Sequence, residues 1–166
     1  MSKETESKET EAREDKKGAG VKFPPPLVLL LAIAAGFVVD YLYPVSLGVP
    51  AALQIIGAPV LVLGVALPIL LSLSFRRVKT NIEPWKPTNV IITTGIYGYS
   101  RNPIYLGFCL ISLGIGIWSN KLWLLMSTPI VGILIYFIAI RKEELYLESK
   151  FGDQYRQYKA SVRRWI

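Results

Sequence analysis

Two clusters of side chains in this 166-residue chain have the types and spacing to do chemistry. One is Thr93 to Gly107, reading TTGIYGYSRNPIYLG, which gathers Tyr97, Tyr99, Tyr105 and Arg101 into fifteen residues around a helix-start signal at Asn102-Pro103. The other is the acidic pair Glu143 and Glu144, within RKEEL at Arg141–Leu145. An arginine and the unpaired N–H groups of a first helical turn favour a carboxylate. Glutamates and tyrosine faces favour a positive centre, the rings by cation–π attraction. Together they suit a cationic, partly apolar cofactor that carries its own carboxylate, and S-adenosylmethionine has those properties. A plainer reading stands beside it: snorkelling, salt-bridging charges where a helix leaves a membrane, with an interfacial belt of tyrosines.

Other chemistries are disfavoured by what the chain lacks. It has no His, the commonest metal ligand and general base. Cys109 is alone and lies inside an apolar segment, so neither a disulfide framework nor a metal site is expected. No glycine-rich phosphate cradle argues for ATP. No βαβ pattern allows a dinucleotide Rossmann site.

The elements that must position these residues are apolar helices. The chain is 52% hydrophobic with a mean hydropathy of +0.39. Four segments, roughly Pro24–Tyr43, Val49–Phe75, Pro103–Trp118 and Lys121–Ile140, can enter a bilayer whose hydrocarbon core takes about 20 helical residues. The fold class expected is all-α, a polytopic integral membrane bundle with a C-terminal helical extension on the cytoplasmic side. The last two segments, separated by Ser119 and Asn120, should form a tight hairpin, tilted or only partly spanning. Eighteen of the nineteen Lys and Arg fall before the first segment, between the second and third, or after the fourth; the exception is Lys121. By the positive-inside rule both termini and the Arg76–Arg101 loop are cytoplasmic. The host membrane would be the plasma membrane in a prokaryote. The net charge of +7 suits anionic lipid, so the partners expected are the bilayer and an amphipathic small molecule, not nucleic acid. Nothing in the pattern sets an oligomeric state.

Residues 1–22 echo Ser2-Lys3-Glu4-Thr5 at Ser7–Thr10 and balance six basic against six acidic side chains. This tail is expected to be disordered. It lacks the apolar core of a signal peptide, so the first segment would act as an uncleaved anchor. Residues 23–166 form the domain, with the chemistry in about 80–166. Asp40, Tyr41 and Tyr43 suit the far interface. Pro59 and Pro68 sit inside the second segment and should kink it, while Gly57 and Gly64 permit close helix approach. Asn102 is expected to cap the third helix with its side chain, with Pro103 at the first helical position and Arg101 just outside. The fourth helix has no break at Ile140 and should run to about Lys150, with Gly152 as its stop. A short helix from Asp153 follows, carrying Tyr155, Tyr158 and Val162 toward the bundle or membrane. Glu143 and Glu144 then stand about one turn past the hydrocarbon boundary, level with Arg101.

Two stretches carry a family resemblance: PWKPTNVIITTGIYGYSRNPIYLG at Pro84–Gly107 and RKEELYLESKFGDQYRQYKASVRR at Arg141–Arg164. From about Thr80 to Ile166 the chain resembles the integral-membrane methyltransferases related to isoprenylcysteine carboxyl methyltransferase and the phospholipid N-methyltransferases. The first two helices match only in hydropathy. The resemblance implies that Asn89, Val90, Ile91, Ile92 and Tyr97 contact S-adenosylmethionine. It puts Asn102, Pro103, Ile104 and Tyr105 in the same cofactor shell and makes Glu143 the direct ligand of the acid pair. The positions of Asn89 and Asn102 are often His in the isoprenylcysteine enzymes. Those enzymes also have a substrate-contacting Arg where this chain has Ala139, which leaves Arg141 as the nearest basic side chain for the substrate.

The activity implied is methyl transfer from S-adenosylmethionine to a small amphipathic or lipid-like acceptor, with Arg101 and Glu144 in the catalytic role. A carboxylate or thiol acceptor needs little or no base, which suits a chain without His. A lipid amine would require Glu144, or a water it holds, to take a proton. The rival enzyme is an NADPH-dependent sterol-type membrane reductase, but those proteins usually have Gly-Asp where this chain has Gly107-Phe108. A non-catalytic membrane partner protein is the remaining alternative.

Overall fold

The computed structural model describes residues 18–77 and 83–166. The expected disorder of residues 1–17 and the Lys79 part of the basic loop lie outside them. Among the described residues the protein is all-helical, with no strand beyond an isolated bridge between Ser46 and Lys121. Helix α1 is Pro25–Leu42, α2 is the single turn Ala51–Gln54, and α3 is Gly57–Arg77. A 3-10 turn at Gly95–Gly98 precedes α4, Pro103–Trp118, and α5, Leu122–Ile135. A π turn, Tyr136–Ile140, leads without a break into α6, Arg141–Phe151, and α7 is Asp153–Ser161. Three stretches are long and apolar enough to cross a membrane: Pro25–Leu42, Ala51–Leu73 and Leu122–Phe151; Pro103–Trp118 is apolar but shorter.

The second apolar segment departs from expectation. It breaks at Ile55 and Ile56, between α2 and α3. Pro59 therefore falls in the first turn of α3, where a missing N–H is harmless, and it does not kink a helix interior. Pro68 is interior as expected, and the Ser72 hydroxyl donates to its carbonyl oxygen at 2.6 Å.

Helix α4 is the centre of the bundle, packed between α3 and α5, with α1 laid mainly on α5. Two glycines set the α3–α4 spacing. A Cβ built on Gly64 would lie 2.6 Å from the Ile111 nitrogen, and one on Gly107 would lie 2.7 Å from Pro68 Cδ. Only hydrogen fits there, so the two backbones touch. The α4–α5 hairpin turns at Asn120, which takes a φ of +56°, a conformation Asn tolerates better than most residues. Inside it the Ser112 and Ser127 hydroxyls share a hydrogen bond of 2.5 Å, which keeps two buried polar groups satisfied among apolar side chains.

The two ends of the bundle differ. At one end Lys121 is ion-paired with Asp40, which is 5% exposed, tying α1 to the start of α5. At the other end lie Arg101, Glu143 and Glu144. Between them the outward faces carry exposed Leu30, Leu31 and Val38 on α1, and Val62, Ile69 and Leu70 on α3. An apolar exterior of this kind is matched to lipid rather than water. Val21 does not belong to the disordered polar tail expected of residues 1–22: it is 3% exposed and packs in the core cluster with Val28 and Tyr105.

Candidate active site

The site is built where the start of α4 meets α6 and the segment that follows α7. Gly95 takes a φ of +64°, opening the turn that buries Tyr97. The next residues are pinned from outside the helix. The Arg101 N–H donates to the Arg163 carbonyl at 3.0 Å, and Asn102 Nδ2 donates to the Arg164 carbonyl at 3.0 Å. The Ser100 hydroxyl reaches the same carbonyl at 3.4 Å and accepts from the Asn102 N–H at 3.2 Å. Asn102 occupies the cap position and Pro103 the first helical position, as expected. The Asn102 side chain makes no cap hydrogen bond, however; its Nδ2 donates to the Arg164 carbonyl.

The π turn at Tyr136–Ile140 admits an extra residue per turn and so re-aims everything after it. Glu143 comes to rest against α4, where the Tyr105 hydroxyl donates to its carboxylate. Glu144, 8% exposed, faces the other way into two arginines. Arg164 grips it with a fork, Nε to Oε1 and Nη2 to Oε2, each at 2.9 Å. Arg101 Nη2 adds a longer contact of 3.2 Å to Oε1. Arg101 Nε and Nη1 are buried and meet no hydrogen-bond acceptor among the described residues.

These groups wall a cavity of about 420 Å³, within the usual range of roughly 300–1,000 Å³ for small-molecule sites. Val90, Ile91, Ile92 and Tyr97 line it from the loop before α4. Arg101, Asn102, Pro103, Ile104 and Tyr105 line it from the helix start, and Glu143 and Glu144 from α6. Asn89 and Arg141 are exposed and are not part of the lining. Tyr146 of α6 and Tyr155 and Tyr158 of α7 complete the polar end, while Pro68, Ser72 and Phe75 of α3 close the apolar end. Ala19 and the turn at Glu83–Lys86 cover the cavity as well, joined by an Ala19 N–H to Pro84 carbonyl bond of 2.9 Å.

Tyr97, Tyr155 and Tyr158 are neutral at ordinary pH. Burial pushes the Tyr97 hydroxyl far above the usual phenol range, with Tyr158 and Glu143 adding to the effect. Burial pushes Tyr155 and Tyr158 up to about 12, with the Arg101 guanidinium pulling both the other way. Tyr158 donates its hydroxyl to the Tyr97 carbonyl at 2.7 Å, locking α7 to the loop before α4.

Sequence reasoning missed Tyr146, the Ala19 cover and above all Arg164. Arg164 and Glu144 are twenty residues apart in the chain, and only the fold of the segment after α7 shows that they meet.

Known proteins match the same region. The phospholipid methyltransferase family matches residues 53–154. An uncharacterized protein of Haemophilus influenzae is 46% identical over 68 residues, which is 38% of this chain and 100% of that protein. Protein-S-isoprenylcysteine O-methyltransferase of Schizosaccharomyces pombe is 36% identical over 77 residues, covering 45% of this chain and 31% of that enzyme. The Saccharomyces cerevisiae enzyme of the same name is 33% identical over 81 residues, covering 45% and 31%. The chain therefore spans about a third of the length of these enzymes. Arg101, Tyr105, Glu143 and Glu144 all fall inside the matched stretch, which takes in more than half of the residues, and the chain belongs to the phospholipid methyltransferase family.

Proposed function

We propose that this chain is an S-adenosylmethionine-dependent methyltransferase acting at the cytoplasmic membrane interface on a small amphipathic or lipid-like acceptor. One observation carries the reading: Arg101 has two buried donors that meet no partner among the described residues, in the wall of a ligand-sized cavity that also holds Glu143. A buried guanidinium N–H left without an acceptor is costly, typically about 1–3 kcal/mol per group. A ligand carboxylate removes that cost, and S-adenosylmethionine has one.

The rest of the lining divides its labour accordingly. Glu143 and the faces of Tyr97, Tyr105 and Tyr155 favour positive charge on the ligand. Val90, Ile91, Ile92, Pro103 and Ile104 offer it apolar surface, and Asn102 holds the backbone of the Arg101 corner. S-adenosylmethionine supplies the methyl group as a reactive sulfonium. The chain's own part is alignment, exclusion of water and placement of charge, since in-line methyl displacement needs nothing else from it. Asn89 and Arg141 lie off the cavity, and Arg141 is left to contact the outer part of the acceptor. Glu144 has both oxygens engaged by arginines, so it is poorly placed to take a proton. That favours a carboxylate or thiol acceptor over an amine.

The basic residues support the orientation with both termini in the cytoplasm. At about 1.5 Å per residue, α4 is some 24 Å long, short of the roughly 30 Å hydrocarbon core. It fits a locally thin bilayer, with Lys121 at its far end reaching the interface.

The test is turnover. Purified protein in lipid nanodiscs is incubated with methyl-labelled S-adenosylmethionine and apolar thiol, carboxylate and amine acceptors. Label should pass into the thiol or carboxylate and not the amine. Transfer to the amine alone would reverse the acceptor preference, and NADPH-dependent reduction in place of transfer would favour the reductase reading.

A further inference from the structure

Arg164 lies beyond residues 53–154, the stretch that the phospholipid methyltransferase family matches, and its guanidinium is a partner of Glu144. We propose that Arg164 is a positioning residue: by holding both oxygens of Glu144, it keeps the Arg101 guanidinium open for an anionic group of the ligand. This rests on the reading of Arg101 as the seat of the cofactor's carboxylate.

The geometry is a competition between two arginines for one carboxylate. An Arg–carboxylate pair is strongest as a fork of two parallel hydrogen bonds. Here the fork belongs to Arg164, at 2.9 Å on each prong. Arg101 has only a shared contact to Oε1 at 3.2 Å. Two guanidiniums against one carboxylate leave a net charge of +1 in the cluster. It is concentrated on Arg101, whose side chain is 8% exposed, rather than on Arg164, whose side chain is 35% exposed. An unmatched charge so far from water is unfavourable until an anion meets it.

Arg164 is itself held in place. Its guanidinium lies 5.0 Å from the centre of the Tyr136 ring, and its carbonyl accepts from Asn102 and Ser100. The neighbouring Arg163 carbonyl accepts from the Arg101 N–H. One short C-terminal segment thus fixes the Arg101 backbone and also occupies the anion that would otherwise claim the Arg101 side chain. Without the Arg164 guanidinium, Glu144 is free to turn and form the fork with Arg101, filling the seat from within.

The test compares binding of S-adenosylmethionine and its decarboxylated analogue to the full chain, for wild type, Arg164→Ala, Arg164→Lys, Glu144→Ala and the Glu144→Ala/Arg164→Ala double variant. Wild type should prefer the carboxylate-bearing ligand by about tenfold or more, the scale of a charge-assisted hydrogen bond. In Arg164→Ala the preference should shrink below about threefold, mainly by weaker binding of S-adenosylmethionine. Lys keeps the charge without the fork and should restore part of the preference. With Glu144 already removed, losing Arg164 should leave the preference unchanged.

A merely structural role would weaken both ligands alike in Arg164→Ala, and that result would overturn the proposal. An unchanged preference would do the same. If Arg164→Ala does not fold, Arg164→Lys carries the test, and a wild-type preference in that variant is the overturning result. Wild type that binds both ligands equally overturns the proposal while leaving the methyltransferase reading intact. Folded wild type that binds neither overturns both.

Discussion

The Tyr105 hydroxyl donates to the Glu143 carboxylate, joining the first turn of α4 to α6 just beyond the π turn. Tyr105 is 8% exposed, so the bond is made away from bulk water. It fixes the acid that the proposed ligand's positive end would face. Replacing Tyr105 with Phe keeps the ring and removes the donor. A lost hydrogen bond to a charged group is worth about 1.5–3 kcal/mol. The variant should show a lower Tm and S-adenosylmethionine affinity reduced by about tenfold. Unchanged affinity, read by titration calorimetry, would mean that Glu143 is held by something else.

The α3–α4 contact depends on hydrogen at Gly64 and Gly107, since a Cβ on either would lie within 2.7 Å of the facing helix. Gly64→Val and Gly107→Val should each destabilise the bundle by more than the roughly 1–3 kcal/mol of ordinary overpacking, because backbone rather than side chain must move. Thermal unfolding in detergent reads the loss. Gly98→Ala is the control: its nearest neighbour to a built Cβ is the Thr93 carbonyl at 3.6 Å, an ordinary contact.

At the opposite end, Lys121 and Asp40 form a pair whose acid is nearly out of solvent while the Lys side chain is 36% exposed. Breaking a fully buried pair costs about 3–5 kcal/mol, and partial exposure places this one lower, at about 1–3 kcal/mol. Lys121→Met should lower Tm and leave S-adenosylmethionine affinity within about twofold, since the pair lies at the far end of the bundle from the cavity. Lys121→Met combined with Asp40→Leu should recover part of the stability, because the stranded charge is gone.

Tyr155 and Tyr158 give an alkaline signature. Their folded values near 12 lie above the ordinary phenol value of 10.0. The unfolded chain therefore releases these protons first as pH rises. The contribution to stability is whole below pH 10 and is lost progressively between about 10 and 12. Tyrosinate absorbance in native protein should lag behind that in denatured protein over this window. Coincident curves would contradict the burial of the two hydroxyls.

Much of this was legible in sequence. Asn102-Pro103 marks the α4 start because two residue preferences agree there, and the unbroken run from Ile140 to Gly152 carries α6 out of the bundle because nothing in it stops a helix. The misses have separate causes. The break at Ile55-Ile56 falls where Pro59 leaves the Ile55 carbonyl without its donor, a marker that points equally to a kink, whereas the π turn at Tyr136–Ile140 has no marker of that kind. Asn102 has the right residue type for a cap, but its side chain makes no cap bond and instead reaches the Arg164 carbonyl, sixty-two residues away in the chain. The Arg101–Glu144–Arg164 cluster depends on where three separate stretches of chain come to rest, and periodicity is silent on that.

The most direct test of the central claim is a calorimetric titration of S-adenosylmethionine, and separately of NADPH, into detergent-solubilised wild type and Arg101→Met. The expected result is one S-adenosylmethionine site in wild type, affinity lower by about tenfold or more in folded Arg101→Met, and no heat with NADPH. Folded wild type that binds no S-adenosylmethionine, or an Arg101→Met variant that binds it equally well, would contradict the site described here.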